Sequence, residues 1–139
     1  MSDYGEIASL VARLAWKVDH REYDDYLDNW VDGGRLRYTG VDGVEYEWVG
    51  SEILELIKTI YNPPNQPCYH IVTTPIIDLD GDSARVRYRT IHVLPGPDAR
   101  PCGVGDYDCI VRRGADGRWR MAEMTEIQLL AYDRVANGS

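Results

Sequence analysis

The N-terminal segment carries apolar residues at the spacing of one helix face. Across residues 7–18 they recur every three or four positions, which predicts an amphipathic first helix. Asp19 follows, and Glu22 stands three positions after it. This spacing is that of a capping box, so it predicts a second helix that begins at Asp19 and buries the apolar positions of residues 23–31. The glycine pair that follows would end this helix.

The middle of the chain predicts two short strands and a third helix. The strands cover residues 35–39 and 44–49 and are joined by an Asp-Gly turn. Ser51 caps the helix, whose apolar face runs through residues 53–61. The proline pair that follows stops it.

The second half of the chain predicts long strands separated by turns. These strands cover residues 66–79, 83–94, 104–112 and 118–130. Proline and glycine between positions 95 and 103 predict a loop. The tail, residues 135–139, is expected to fray.

Helices followed by a meander of strands are typical of an α+β domain. The 139 residues suit one domain, spanning 1–139. We expect a cone-shaped α+β barrel, in which three N-terminal helices pack on a curved, mostly antiparallel sheet and enclose a pocket.

The strand predicted over residues 83–94 alternates between two kinds of side chain. Its three arginines share one face, which must therefore meet water. Tyr88 and His92 lie on the other face, toward the core or a pocket. Tyr88 is thus a candidate substrate contact, and His92 is either a hydrogen-bonded core residue or a second such contact.

Asp19 and His70 are the candidates for proton-transfer chemistry. Alternation alone does not decide whether His70 faces inward from its strand. Asp19 has two interpretations, a helix cap or a hydrogen-bond acceptor, and one carboxylate can serve both. An aspartate beside a histidine fixes the imidazole tautomer and stabilises the imidazolium once a proton arrives. The sequence supplies both residue types but not their proximity.

Four further residues are candidate substrate contacts. Tyr38, on a predicted short strand, would line the mouth of a pocket, and Trp16 stands near the end of the first helix. The last predicted strand places Met121 and Glu123 on one face with apolar neighbours. Glu123 is therefore either a second carboxylate in the pocket or an edge residue.

The charge balance argues against two kinds of partner. The net charge of −8 repels nucleic acid and anionic membranes, and no basic cluster offsets it. No apolar run approaches the roughly 20 residues of a membrane helix. The acidic N-terminus lacks the basic and apolar regions of a signal peptide, so we expect none. We expect no nucleic acid and no membrane partner.

The cysteine pattern and the absence of common motifs argue against several classes of binding and catalytic site. The three cysteines, at positions 68, 102 and 109, form no C-x-x-C pair, which indicates neither a disulfide framework nor a structural zinc site. A reducing cytoplasm is the expected location. The chain has no P-loop, dinucleotide fingerprint, nucleophile elbow or H-E-x-x-H motif. Abundant tyrosine and tryptophan suit an apolar cavity that must also orient a ligand.

Three segments resemble the SnoaL-like branch of the nuclear transport factor 2-like superfamily. They are VDHREYD (residues 18–24), YHIVTTPIIDLDGD (residues 69–82) and RRGADGRWRM (residues 112–121). With the helices between them they cover nearly the whole chain. The resemblance implies the cone-shaped fold, no metal or organic cofactor, and a homo-oligomer, either a dimer or a trimer.

The resemblance also implies a catalytic pair. Scytalone dehydratase, hexachlorocyclohexane dehydrochlorinase and the bile-acid dehydratase place a catalytic aspartate at the helix junction and a catalytic histidine at the start of the long strand. Those positions match Asp19 and His70. Two positions depart from scytalone dehydratase: Val18 stands where that enzyme has a tyrosine, and an ungapped alignment puts Pro95, not His92, at its second histidine.

The leading hypothesis is a cofactor-independent lyase or isomerase, namely a dehydratase, double-bond isomerase or cyclase. Its substrate would be a small apolar molecule of the polyketide, terpenoid, steroid or aromatic type. Asp19 and His70 would form the general base, and Tyr38, Tyr88 or His92 would donate to developing oxyanion charge. The alternative is a non-catalytic ligand-binding domain or a partner protein like an oxygenase small subunit. Epoxide hydrolysis is a third, less favoured hypothesis.

Overall fold

Helix α1 (Asp3–Asp19) forms the N-terminal layer of the protein, as the apolar spacing predicts. The computed structural model describes residues 1–64 and 67–131 of the chain. Ser2 caps the helix, because its Oγ accepts a hydrogen bond from Gly5 N at 3.1 Å. The buried side chains of α1 are Ile7, Leu10, Val11, Leu14 and Val18.

The second helix predicted from Asp19 is wrong. After α1 the chain turns through Arg21, whose φ of 55° is left-handed, and forms only a short 3₁₀ helix, Tyr26–Asn29. Strand β1 (Trp30–Thr39) begins where that helix was expected to continue. The capping box does not form, because both oxygens of the Asp19 carboxylate bond to His70 in a neighbouring strand.

Seven strands form one curved sheet that is not closed into a full barrel. The strands after β1 are β2 (Glu45–Val49), β3 (Tyr69–Val72), β4 (Ile76–Asp80), β5 (Ser83–Leu94), β6 (Arg100–Arg113) and β7 (Trp119–Ala131). They lie in the order β2-β1-β7-β6-β5-β3, and β4 also pairs with β5. Only β1 and β7 pair in parallel, so the mostly antiparallel sheet is confirmed.

Two glycines near the start of β1 mark a bend rather than a helix end. Gly33 has a φ of 69°, in the left-handed region that favours glycine. A Cβ on Gly34 would lie 2.8 Å from Cε3 of Trp30, a buried core side chain. The pairing of β1 with β7 shifts register over the same residues. The glycines therefore let the strand pass close to the core.

The third predicted helix is present with a change of winding. Helix α2 (Glu52–Leu56) continues as a π-helix, Ile57–Tyr61. Within the described residues the protein thus has two α-helices rather than three, and α2 lies between strands rather than ahead of them. The α+β class is confirmed. None of the described helices is long and apolar enough to cross a membrane.

The strand predicted over residues 66–79 is two strands, β3 and β4. Pro75, in the break between them, has no N–H to donate to a ladder. The Thr73 hydroxyl donates to Arg89 O and accepts from Arg89 N, each at 2.9 Å. The Thr73 side chain therefore adds to the backbone bond that remains at the break, from Thr73 N–H to Arg89 O at 3.0 Å.

The start of β6 also differs from the prediction. Strand β6 begins at Arg100 rather than at position 104. Gln66, where the first long strand was predicted to start, lies outside the described residues, as does the tail at 135–139.

The outer face of β5 is charged, as its alternation predicts. Exposed arginines on this face bind carboxylates of neighbouring strands in three pairs, namely Arg85–Asp108, Arg87–Asp78 and Arg89–Asp106. The inner face buries Ala84 and Val86 in the same core as α1. The interior site accordingly lies between α1 and the inner face of the sheet.

Candidate active site

An aspartate and a histidine from different elements meet in the interior. Asp19 is the last residue of α1, and His70 is the second residue of β3. His70 Nδ1 donates to Asp19 Oδ1 at 2.6 Å, and the His70 backbone N–H donates to Oδ2 at 3.0 Å. The two side chains are only 11% and 8% exposed. The carboxylate therefore holds the residue at two points and leaves Nε2 as the basic nitrogen.

The structure settles which way β3 faces. Tyr69 and Ile71 are exposed on the outer side, whereas His70 and Val72 line an internal cavity. Strand alternation left this orientation open, because both faces of the strand carry apolar residues. Pairing with β5 decides it, since β5 has an unambiguous inner face.

His92 joins this pair from β5. It is the cross-strand partner of His70, and the two ring centroids lie 4.6 Å apart at an interplanar angle of 64°. Its Nε2 lies 2.8 Å from Thr90 Oγ1 and 3.9 Å from Glu126 Oε1. His92 is therefore both a hydrogen-bonded buried residue and a neighbour of the Asp19–His70 pair. Strand register places it there, although the ungapped alignment pointed to Pro95.

Glu126 is a buried carboxylate that the sequence analysis did not single out. It is 1% exposed and accepts a hydrogen bond from Tyr61 Oη. The Tyr107 hydroxyl also hydrogen-bonds to it. A fourth polar side chain, His92, lies near the same carboxylate. The interior thus has a second acidic group, on the far side of the histidine pair from Asp19.

A β-bulge explains why Glu126 was missed and why Glu123 does not reach the pocket. Counting alternation from Trp119 places Glu123 inside and Glu126 outside. At Ala122 the register against Val111 shifts by one residue, which reverses the alternation from Glu123 to Gln128, where a second register shift follows. Glu123 consequently lies on the outer face. In this bulge two residues of β7 lie opposite one residue of β6, a local feature that hydrophobic alternation does not reveal.

Three tyrosines surround this end of the interior. Burial raises the pKa of Tyr61 and of Tyr107 well above the usual value, and the nearby Glu126 charge raises both further. Burial also raises the pKa of Tyr88, which stacks on Tyr107 with ring centroids 4.8 Å apart. All three hydroxyls therefore stay protonated at neutral pH and can donate hydrogen bonds.

A small cavity of about 40 Å³ lies between α1 and the inner face of the sheet. Its walls are mostly aliphatic and aromatic, and its polar lining residues are His70, Thr90 and four tyrosines, Tyr26, Tyr61, Tyr88 and Tyr107. A space of this size holds a few water molecules at most. Drug-sized ligands fill pockets of roughly 300–1,000 Å³. A substrate must therefore move side chains aside to enter.

The remaining predicted contacts have different positions. Tyr38 lies next to the cavity, where its hydroxyl donates to Gln128 and its ring meets Tyr61 edge-on at 6.3 Å. Met121 is fully buried in the core but does not line the cavity. Trp16 is 59% exposed and stacks on His20, so the expected substrate contact at Trp16 is not supported.

One group of side chains has the chemistry of metal ligands. One ligand atom each from Cys68, His70 and His92 lies within 4.8 Å of the other two. No spacing motif in the sequence predicts this group, because the residues come together through strand pairing.

Comparison with known proteins agrees with this architecture. The chain matches the family model of the SnoaL-like domain over residues 1–125. No curated protein matches it. A nuclear transport factor 2-like protein with a cystatin-like fold from Novosphingobium aromaticivorans is 20% identical with a TM-score of 0.73, and the alignment covers 99% of this chain and 84% of that one.

Two further solved structures share the fold. The Kfla4162 protein from Kribbella flavida is 24% identical with a TM-score of 0.77, covering 95% of this chain and 94% of that one. ActVI-ORFA from Streptomyces coelicolor is 14% identical with a TM-score of 0.75, covering 91% and 96% respectively. The family-model match over residues 1–125 shows that the chain belongs to the SnoaL-like domain family, and the solved structures show that it shares the fold of a nuclear transport factor 2-like protein.

Proposed function

We propose that the protein is a cofactor-independent lyase or isomerase in which His70 acts as a general base toward a small, mostly apolar substrate. The observation that carries the proposal is the Asp19–His70 pair at the wall of an apolar cavity. Dehydration, double-bond migration and ring closure can all begin when such a base removes a proton from carbon beside an electron-withdrawing group.

Asp19 makes the histidine suited to this step. Its oxygen accepts the Nδ1 proton at 2.6 Å, so the Nε2 lone pair is the one left for the substrate. When Nε2 takes a proton, the imidazolium is stabilised by the adjacent carboxylate. The second hydrogen bond, from the His70 backbone, keeps the carboxylate from turning away. Asp19 is therefore a positioning residue, and His70 is the proposed catalytic one.

Charge that develops on the substrate oxygen needs donors on the opposite side. Tyr88, which lines the cavity, was expected in this role. Tyr61 and Tyr107 line the same cavity, but each hydroxyl has a single proton and already donates it to Glu126, so Tyr88 stays the proposed donor. A preorganised hydroxyl in a site that excludes water stabilises an oxyanion more than solvent does.

The substrate class follows from the cavity wall. The lining is largely aliphatic and aromatic, which favours a polyketide-, terpenoid-, steroid- or aromatic-type molecule. None of the three cysteines, all of which lie in the described part of the chain, forms a disulfide, so we also propose the reducing cytoplasm as the location. The proposed partners are a small-molecule substrate and further copies of the chain.

The test uses 5-nitrobenzisoxazole, a small aromatic carbon acid. A base that removes its C3 proton breaks the ring N–O bond and releases a coloured nitrile phenolate. We expect wild-type protein to accelerate this elimination and His70→Gln to lose that acceleration, by about 10²- to 10⁴-fold. Asp19→Asn should fall between the two. His20→Gln, which changes an exposed histidine near the same helix end, is the matched control and should retain the wild-type rate.

Two results would contradict the proposal. The first is a wild-type rate no higher than that of the His70→Gln variant. The second is an equal loss in His20→Gln and His70→Gln. Either would favour the alternative function, a non-catalytic ligand-binding domain.

A further inference from the structure

Four side chains with metal-ligand chemistry meet beside the cavity. Cys68 lies just before β3, Cys102 lies in β6, and His70 and His92 form the cross-strand pair between them. All four are buried or nearly so: the cysteines are 0% and 3% exposed and the histidine side chains 8% and 6%. Strand register brings these residues together, since His92 also pairs with Gly103, the neighbour of Cys102.

We propose that Cys68, Cys102, His70 and His92 bind one Zn²⁺ ion. The Sγ atoms of Cys68 and Cys102 are 3.7 Å apart. Two thiolates at 2.3 Å from a tetrahedral zinc ion lie about 3.8 Å apart, so the sulfur pair already has the required separation.

The histidines need only a small adjustment. The ligand atoms of Cys68, His70 and His92 lie within 4.8 Å of one another. Nitrogen and sulfur ligands around tetrahedral zinc are separated by roughly 3.3–3.8 Å. Side-chain rotations that close these three residues by about 1 Å, with a rotation of Cys102, whose Sγ lies beside Cys68 but outside this group, would complete the site.

Each histidine already has the outer hydrogen bond that zinc ligands use. His70 Nδ1 donates to the Asp19 carboxylate, which leaves Nε2 for a metal. His92 Nε2 lies 2.8 Å from the Thr90 hydroxyl, and its Nδ1 points toward Gly103, beside Cys102. Such second partners fix the tautomer and ring orientation of metal-bound histidines.

The charge of the group suits a divalent ion. Two thiolates and two neutral imidazoles balance Zn²⁺ in an interior that disfavours net charge. A tetrahedral set of two sulfur and two nitrogen ligands is typical of zinc. Cys109 provides the contrast, because burial raises the pKa of its thiol to about 12 and it belongs to no such group.

The experiment is a metal titration of the full chain, reduced beforehand with a phosphine reductant and without substrate. Co²⁺ serves as the spectroscopic probe and is then displaced by Zn²⁺. We expect one Co²⁺ per chain, with thiolate-to-cobalt charge-transfer bands and the visible bands of a tetrahedral complex. Cys68→Ser and Cys102→Ser should each weaken Co²⁺ and Zn²⁺ binding by at least about tenfold and reduce the charge-transfer intensity.

Cys109→Ser is the matched control, since it removes a buried thiol elsewhere in the sheet, and it should bind as the wild type does. Asp19→Asn should weaken binding about 10- to 100-fold while leaving the thiolate bands in place. Circular dichroism shows whether each variant is folded.

The proposal is overturned if wild-type protein binds no Co²⁺, or binds it without thiolate charge-transfer bands, a result that needs no variant. It is also overturned if Cys109→Ser loses as much affinity as Cys102→Ser. A zinc ion on His70 Nε2 would occupy the lone pair that the general-base proposal assigns to the substrate, so the elimination assay is run on metal-free protein. Because the titration measures metal content rather than turnover, failure here leaves the general-base proposal standing, and failure of that proposal leaves this one standing.

Discussion

Each interior histidine has a carboxylate nearby, but the two pairs are built differently. Asp19 contacts His70 directly, at 2.6 Å, whereas Glu126 lies 3.9 Å from His92 and bonds instead to tyrosine hydroxyls. The first arrangement leaves a basic nitrogen, and the second engages the protons of two tyrosine hydroxyls. At the scale of residues, the interior therefore has one carboxylate that orients a base and one that accepts hydrogen bonds from buried tyrosines.

The role of Glu126 leads to a first prediction. Glu126→Ala should lower the free energy of unfolding more than Glu126→Gln does. The alanine variant removes the acceptor of two buried hydroxyls, those of Tyr61 and Tyr107, and an unsatisfied buried group costs about 1–3 kcal/mol. The glutamine variant keeps an amide oxygen at that position as a hydrogen-bond acceptor. Urea unfolding of both variants measures the difference, and equal losses would contradict the hydrogen bonds assigned to Glu126.

The buried tyrosines predict a pH dependence of stability. Burial raises the folded-state pKa of Tyr61, Tyr88 and Tyr107, whereas unfolded tyrosines titrate near about 10. Below that pH both states are protonated and the contribution to stability is complete. As the pH rises above it, only the unfolded state loses protons, so the free energy of unfolding should fall.

Urea unfolding between about pH 8 and pH 11 measures this fall. Tyr88→Phe should make the fall shallower, because one buried hydroxyl is removed. Tyr46→Phe, at an exposed position, should not change it. Identical slopes for wild type and Tyr88→Phe would show that the hydroxyl is not shielded as the structure indicates.

The residue types in the sequence predicted the kind of candidate site better than they predicted which residues form it. Asp19 and His70 were available from the sequence, and the inner face of β5 followed from its arginines. Glu126 was not, because one extra residue at Ala122 reverses the alternation on which the inference depended. Cys68 and Cys102 were not either, since they are 34 positions apart and meet only through strand pairing.

At the scale of elements, local signals failed where a distant partner competed for the same group. The capping box at Asp19 is a correct local pattern, but His70 takes both carboxylate oxygens and the helix does not form. Pro75 interrupts the long predicted strand for a local reason that is visible in the sequence, since proline has no N–H to donate. Helix α1 and strand β5 match their predictions because no long-range contact opposes their patterns.

The bend in β1 gives a prediction at this scale. Gly34→Ala should lower the free energy of unfolding by about 1–3 kcal/mol, because the new Cβ would overlap the buried ring of Trp30. Gly40→Ala is the control. Its Cβ would lie 2.8 Å from the flexible side chain of Asp42 and at an ordinary contact distance of 3.6 Å from the Tyr38 ring, so a smaller loss is expected. Thermal or urea unfolding compares the two, and equal effects would mean that the strand can shift away from the core.

At the scale of the whole molecule, the outer surface of the sheet is mixed in character. Its centre carries the exposed arginine–aspartate pairs, while Ile71, Ile76 and Ile127 are each about half exposed around them. We predict a homo-oligomer, either a dimer or a trimer, as the resemblance implied. Light scattering after size exclusion should give about two or three times the 15.8 kDa chain mass, and a mass equal to that of one chain would contradict the prediction.

The polar interior also bears on how the protein would respond to selection for heat resistance. Buried carboxylates and hydroxyls are often less stabilising than hydrocarbon groups that fill the same volume. Combined replacements such as Glu126→Met with Tyr61→Phe and Tyr107→Phe remove the acceptor and both donors together, so they should raise the melting temperature. A thermostability screen that ignores turnover would therefore tend to enrich changes at this carboxylate, and its most durable variants would be those whose cavity had become chemically inert.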